Sequence, residues 1–280
     1  LVSIITSIGY DHMHILGNTL PEIAYQKAGI IKPNSQTVIF EQIKNIEDIF
    51  INECKKKNNK LHIIKNSDIS NYSFDENFQY FDYKDIKNIA LNLKGKAQIK
   101  NACISIETIK ILNEYGYNIS NSSILEGLRT VIHKGRMEKL NENPTIIYDG
   151  AHNEPAIKNL LEMTNMYYPN KKRIYIISIL NRKDYTHMLK LLAEDKNAIF
   201  IMTSGNKSNK FATSDKLYDC MKKFTNEKNI FKNSLENSIS DAFYDTSKNT
   251  VYFIIGSFYV YGTVIEKINE LKNNSNQNKL

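Results

Sequence analysis

Four short apolar runs, at 145–148, 173–180, 198–203 and 250–255, set the strongest limit on how this chain can fold. They are dense in Ile, Val, Tyr and Phe and leave no regular polar face, the pattern of strands covered on both sides. Helix-length segments lie between and after them, at 153–166, 183–194, 214–225, 235–246 and 257–271. Repeated strand–helix units with apolar strands predict an α/β fold with a mostly parallel, doubly wound sheet. Such sheets hold ligands beyond the carboxyl ends of their strands, so the residues just past each run are the ones to inspect.

The part before residue 134 mixes its elements more. Residues 1–8 form a β-branched run closed by Gly9, which suits a strand buried on both faces, and Asp11 and His12 emerge just past its end. A helix follows. Thr19 with Glu22 makes a capping box, Pro21 is tolerated in the first turn, and Gly29 is expected to close the helix in the left-handed conformation. Strands are expected at 37–40, 61–64 and 89–93, helices at 43–57, 95–115 and 122–131, and an antiparallel hairpin or meander within 66–85. The pattern breaks at His133-Lys134-Gly135, which places a domain boundary near residue 134: one domain over 1–134, a second over 135–280. From Lys272 the tail turns polar and is expected to fray.

Several positions carry chemistry. Ile23, Lys27 and Ile30 fall at i, i+4, i+7, so Lys27 shares an apolar line with two isoleucines. It is either a snorkelling stem with its head in water or a desolvated amine, able to capture carbon dioxide as a carbamate. His12 is either a metal ligand or a loop histidine satisfied by hydrogen bonds. In Asp149-Gly150-Ala151-His152-Asn153 a strand delivers Asp149, Gly150 permits a tight turn, and a helix starts near Asn153. That geometry suits an anion at a helix N-terminus, and equally suits an Asp and an Asn capping the helix. Arg136 is a bidentate phosphate partner or a surface ion-pair former. Asn101 meets a ligand or bonds its own turn. Ser204-Gly205-Asn206-Lys207-Ser208 lacks the spacing of a phosphate loop and reads as a solvated loop.

The words Ile5-Thr6-Ser7-Ile8-Gly9-Tyr10-Asp11-His12, Leu16-Gly17-Asn18-Thr19 and Lys27-Ala28-Gly29-Ile30-Ile31-Lys32 resemble the folylpolyglutamate synthase / dihydrofolate synthase family of the Mur-ligase superfamily. So do Gln98 to Ala102, Gly135-Arg136-Met137-Glu138, Asp149 to Asn153, Asn181 to Asp184 and Gly256-Ser257-Phe258-Tyr259. Ala97 stands where many members have His, and Glu154 where many have Pro. The resemblance implies the C-terminal part of a Mur-ligase-type ATP-binding central domain, followed by a Rossmann-like glutamate-binding domain. It implies an ATP-dependent ligase that adds L-glutamate to tetrahydrofolate, with dihydropteroate as a second candidate substrate, through an acyl phosphate. By the same route His12 is a magnesium ligand and Lys27 the carbamylated, catalytic lysine. Asn101, Arg136 and Asp149 contact ATP; His152, which is also catalytic, and Ser257 hold the glutamate. Mg2+ is the expected metal, with K+ a further candidate. Bland alternatives for Ser257 (an N-cap) and the others stand beside these roles.

Of the 280 residues 41% are hydrophobic and 24% charged, and the longest apolar runs are of strand length, so no membrane span is expected. The net charge of +7 suits an anionic ligand, but the basic residues are scattered and no aromatic-interleaved basic stripe argues for nucleic acid. Three distant cysteines form neither a metal word nor a disulfide framework, which points to a reducing, cytoplasmic compartment. A monomer is expected. The chain opens on Leu1 inside a strand-like run, and neither a Walker-type loop nor the upstream glutamate of the family's metal site occurs in it. The expectation is therefore a fragment that does not turn over alone. Another Mur-type amino-acid ligase and a non-catalytic binding module are the competing readings.

Overall fold

The computed structural model describes residues 1–10, 13–205 and 209–277. They fall into two compact units, Leu1–Ile132 and His133–Leu280.

The first unit runs β1 (Val2–Ile5), α1 (Met13–Leu16), α2 (Leu20–Ala28), β2 (Gln36–Phe40), α3 (Lys44–Lys56), β3 (Lys60–Ile64), β4 (Ile69–Phe74), β5 (Gln79–Tyr83), β6 (Ile86–Leu91), α4 (Lys96–Glu114) and α5 (Asn121–Thr130). Strands β1, β2 and β3 pair in parallel in that order, and β4, β5 and β6 form an antiparallel meander. All five residues of β2 are buried because its two faces enter different cores. Ile39 packs with Ala24, Ala28, Ile46 and Phe50 of α2 and α3, whereas Val38 and Phe40 pack with the meander and α4. This is the period-two alternation of a strand.

Two expectations fail here. Residues 1–8 are not a strand covered on both faces: β1 is the edge of its sheet, and Ile4 is 42% exposed while Ile5 is buried. Gly29 does not adopt the left-handed conformation. Its φ of −56° is right-handed, because Gly29 and Ile30 continue the winding through N–H bonds to the Gln26 and Lys27 carbonyls. The start of α2 is as expected. Glu22 accepts from the Asn18 and Thr19 N–H groups at 2.7 and 3.1 Å, and Thr19 Oγ1 accepts from Glu22 N–H at 3.3 Å.

The second unit runs β7 (Glu138–Asn141), β8 (Thr145–Asp149), α6 (Glu154–Tyr167), β9 (Lys172–Ile177), α7 (Tyr185–Leu192), β10 (Ile199–Met202), α8 (Ser214–Met221), β11 (Ile230–Lys232), α9 (Leu235–Tyr244), β12 (Thr250–Ile255) and α10 (Tyr261–Gln277). These strands make one sheet in the order β11-β10-β9-β12-β8-β7, parallel except for β7 at one edge. Ile147, Tyr175, Ile177, Phe200, Phe253 and Ile255 point to the face under α6, α7 and α8. Ile146, Tyr148, Ile176, Tyr252 and Ile254 point to the face under α9 and α10. The doubly wound sheet is thus present, with two additions: the polar strand β7 and the three-residue β11. The tail expected to fray continues α10 to Gln277, and a short helical turn over Phe258–Val260 precedes that helix.

Candidate active site

The carboxyl ends of β8 and β12 lie side by side, since Asp149 pairs with Ile255. The chain leaves β12 through Gly256, whose φ is +111° and whose Cβ, if it had one, would stand 2.3 Å from the Ser178 carbonyl oxygen. Only glycine fits that exit. Ser257 follows, 2% exposed, with its Oγ accepting from Tyr259 N–H at 3.1 Å. It therefore does cap the turn that precedes α10. Its carbonyl accepts from the buried Tyr148 hydroxyl, which ties the turn to β8.

Asp149 is 5% exposed and accepts from Met137 N–H at 2.9 Å and Ala151 N–H at 2.8 Å. It is thus a buried carboxylate rather than the cap of α6, a role taken by Asn153, whose side chain accepts from Ala156 N–H. Burial raises the Asp149 pKa from 3.8 to about 6; the bonds from Met137 and Ala151 and the charge of Arg136 pull it down without cancelling that. The loop it holds is unusual. Met137 has φ of +44°, a region that non-glycine side chains avoid, and the carboxylate bond keeps it there. Glu138 braces the same loop, accepting from Gly135 N–H at 2.6 Å and from the Tyr261 hydroxyl at 2.9 Å.

His152 Nδ1 lies 2.7 Å from the Gly150 carbonyl. A carbonyl only accepts, so Nδ1 carries the proton in that bond and Nε2 is the basic nitrogen of the neutral ring. The Phe258 ring sits among these parts. Arg136 lies over it with the guanidinium carbon 4.5 Å from the ring centroid, and the His152 ring meets it edge-on at 6.2 Å. Arg136, Asp149, His152 and Ser257 are therefore brought together at one end of the sheet. Beside them is a cavity of about 460 Å³ lined by Leu180, Asn181, Arg182, Asn209, Lys210 and Tyr259.

The remaining candidates lie in the first unit. Lys27 is half-buried on α2, between fully buried Ile23 and Ile30, which is 47% exposed. Asn101 is exposed in the second turn of α4, and its Nδ2 donates to Gln98 Oε1 at 3.2 Å. His12 lies outside the described residues, as do Asp11 and 206–208 of the segment read as a solvated loop. Among the described residues no group of three or more His, Cys, Asp or Glu side chains gathers to hold a metal ion. Nor is any helix among them long and apolar enough to cross a membrane.

A model of the Mur ligase middle domain matches residues 1–109, and a model of the Mur ligase glutamate ligase domain matches 135–258. The chain belongs to the Mur ligase family. Its Mur ligase relatives include a dihydrofolate synthase/folylpolyglutamate synthase of Bacillus subtilis, 33% identical over 207 residues that cover 71% of this chain and 48% of that protein. A folylpolyglutamate synthase of Lacticaseibacillus casei is 26% identical over 208 residues, 72% of this chain and 48% of that protein. The chain thus spans about half the length of these relatives. Among solved structures, the Mycobacterium tuberculosis folylpolyglutamate synthase complexed with ADP and AMPPCP gives a TM-score of 0.83. That match covers 95% of this chain and 63% of that one at 21% identity, and supports the fold. The Thermotoga maritima folylpolyglutamate synthase gives 0.74 over 95% and 60% at 25% identity.

The buried Asp149 makes stability depend on pH in a definite direction. Its folded pKa is raised, so its contribution is fully present below about 3.8 and is lost as pH rises through about 6. Going from pH 4 to pH 7, urea denaturation is expected to shift the difference between wild type and Asp149→Asn toward the variant, by on the order of 2–3 kcal/mol. A difference that stays flat over this range would remove the assignment.

Proposed function

We propose that this chain is part of an ATP-dependent amide ligase that extends folate by L-glutamate. The observation that carries the reading is the cluster of Arg136, Asp149, His152 and Ser257 at the carboxyl edge of a parallel sheet, beside a cavity that two cations line. Arg136 takes the role of phosphate partner: its planar fork matches phosphate oxygens. In the reaction, the γ-phosphoryl group passes to a folate carboxylate and ADP leaves. The amine of glutamate then attacks the acyl phosphate, forming the amide and releasing phosphate. His152, with Nδ1 committed to the Gly150 carbonyl, is suited to take the amine proton on Nε2. Arg182 and Lys210 give the cavity the charge to hold a dicarboxylic amino acid, with Ser257 next to Tyr259 on its border. Asn101 and Asp149 are assigned to ATP. Magnesium, when bound, supplies charge neutralisation on the triphosphate. His12 and a carbamylated Lys27 are the residues we assign toward it, with potassium as a further candidate ion. The half-buried position of Lys27 keeps its amine within reach of dissolved carbon dioxide. Three buried free cysteines fit a reducing cytoplasm, where we take the protein to act as a monomer.

The test is ligation by the complete protein. Supplied with tetrahydrofolate, labelled glutamate and ATP, it yields ADP and a folate longer by one glutamate, and hydroxylamine diverts the acyl phosphate to a hydroxamate. ADP release independent of any folate or pteroate would sink the reading. In the same assay Lys27→Ala is expected to lose roughly tenfold or more of the rate. Bicarbonate removal should slow the wild type and leave the variant where it is. Full activity in Lys27→Ala ends the carbamate role.

A further inference from the structure

Three separate pieces of chain meet on the Phe258 ring. A Cβ on Gly135 would stand 2.6 Å from its Cε1, and a Cβ on Gly150 would stand 2.4 Å from both Cε2 and Cζ. The two glycines are therefore the walls of a slot that this ring occupies. Gly135 N–H is held by Glu138, and Gly150 N–H donates to the Gly135 carbonyl at 2.8 Å, so the slot has a bonded floor. The ring itself is fixed at its root. Ser257 is buried, its carbonyl is bonded by Tyr148, and Gly256 before it holds a φ of +111° that other residues avoid. Yet Phe258 remains 37% exposed. The Arg136 guanidinium lies over this ring, 4.5 Å from the centroid. An arginine over an aromatic face is held by the ring quadrupole and loses little of its donor capacity, because the N–H groups point outward in the guanidinium plane.

From this slot we infer that Phe258 is a positioning residue: it presents the Arg136 fork to the nucleotide phosphates and locks the Gly135 and Asp149–His152 loops in register with it. The inference rests on the phosphate role proposed for Arg136. It also gives Gly135 and Gly150 a reason that neither phosphate nor turn supplies, namely room for a ring delivered by a distant turn.

Phe258→Leu keeps an apolar side chain of similar bulk and removes the quadrupole; Phe258→Tyr keeps the aromatic face. In the complete protein, Phe258→Leu is expected to raise the KM for ATP roughly five- to thirtyfold, the span of an arginine–aromatic contact. The KM for glutamate should move less than about twofold, and Phe258→Tyr should restore the KM for ATP. Gly150→Ala, which forces the ring out of its slot, should resemble Phe258→Leu. A second readout needs no nucleotide. In proton–nitrogen NMR the Arg136 Nε–H signal should carry a ring-current shift that is lost in Phe258→Leu and kept in Phe258→Tyr. An Arg136 signal indifferent to residue 258, or equal losses in the Leu and Tyr variants, overturns the positioning role. If the signal responds as expected but Arg136→Ala leaves the KM for ATP unchanged, the phosphate reading is what failed, and the proposal falls with it.

Discussion

Replacing Arg136 with alanine is expected to lower kcat/KM for ATP by about 10²- to 10³-fold, the loss found when a preorganised charge-stabilising donor is removed. The size follows from how the residue is held. Its backbone belongs to a loop fixed by two carboxylates, Glu138 and Asp149, and its guanidinium rests on an aromatic ring. A group held this firmly loses little freedom when a phosphate arrives, so its deletion removes most of an interaction rather than a flexible fraction of one. Arg136→Lys should recover about a tenth of the activity at most, since an ammonium keeps the charge but neither the fork nor the stacking. Thermal stability should change little, because Arg136 is only half-buried. Steady-state kinetics of the two variants check this, and wild-type activity in Arg136→Ala would remove the nucleotide site from this edge of the sheet.

The second large effect concerns the backbone. Gly256→Ala places a methyl group 2.3 Å from the Ser178 carbonyl oxygen at a φ of +111°. Neither neighbour yields cheaply. Ser178 is fully buried, its N–H donates to the Ile255 carbonyl, and its hydroxyl pairs with Thr203. The expected cost is about 3 kcal/mol or more, a backbone-strain effect at the upper end for single substitutions. For a unit of this size that is a fall of roughly 6–12 °C in Tm. Calorimetry or circular dichroism decides it, and a Tm within about 2 °C of wild type would mean that the turn after β12 is softer than its bonds indicate.

The sequence was most informative where a pattern is local. The runs containing Ile146-Ile147, Ile174 to Ile177 and Val251 to Ile255 are strands because such residues suit buried pleats, and each ended where expected within about three residues. The capping box at Thr19 and Glu22 is a four-residue signal and was equally plain. Strands β7 and β11 were hidden for opposite reasons: Glu138-Lys139-Leu140-Asn141 is a polar edge, and Ile230–Lys232 is too short for periodicity to register. Gly29 shows the limit of a residue preference, since glycine permits the left-handed conformation without requiring it. In the site, Arg136, Asp149, His152 and Ser257 were legible as words, whereas the left-handed Met137 and the Phe258 slot were not. Met137 is held from the end of β8, twelve residues on, and the Phe258 slot is filled by a turn more than a hundred residues away, contacts that no local spacing rule records. Arg182 and Lys210 belong to the same class. They face one cavity because Leu180 and Phe211 bridge the loops after β9 and β10.

The strand order has a consequence for how this protein is born. Strand β12, with all six residues buried, lies between β8 and β9, yet it is made after every other strand of its sheet. Until the ribosome has delivered residues 250–255 beyond its exit tunnel, β8 and β9 have no common neighbour and each shows an unpaired apolar edge. The sheet cannot zip up progressively from its amino-terminal side; it closes by late insertion of its centre, which makes the nascent chain dependent on protection from aggregation over about a hundred residues of synthesis. The same event delivers Gly256, Ser257 and Phe258, so the candidate site is assembled only when β12 enters the sheet, together with the core that supports it.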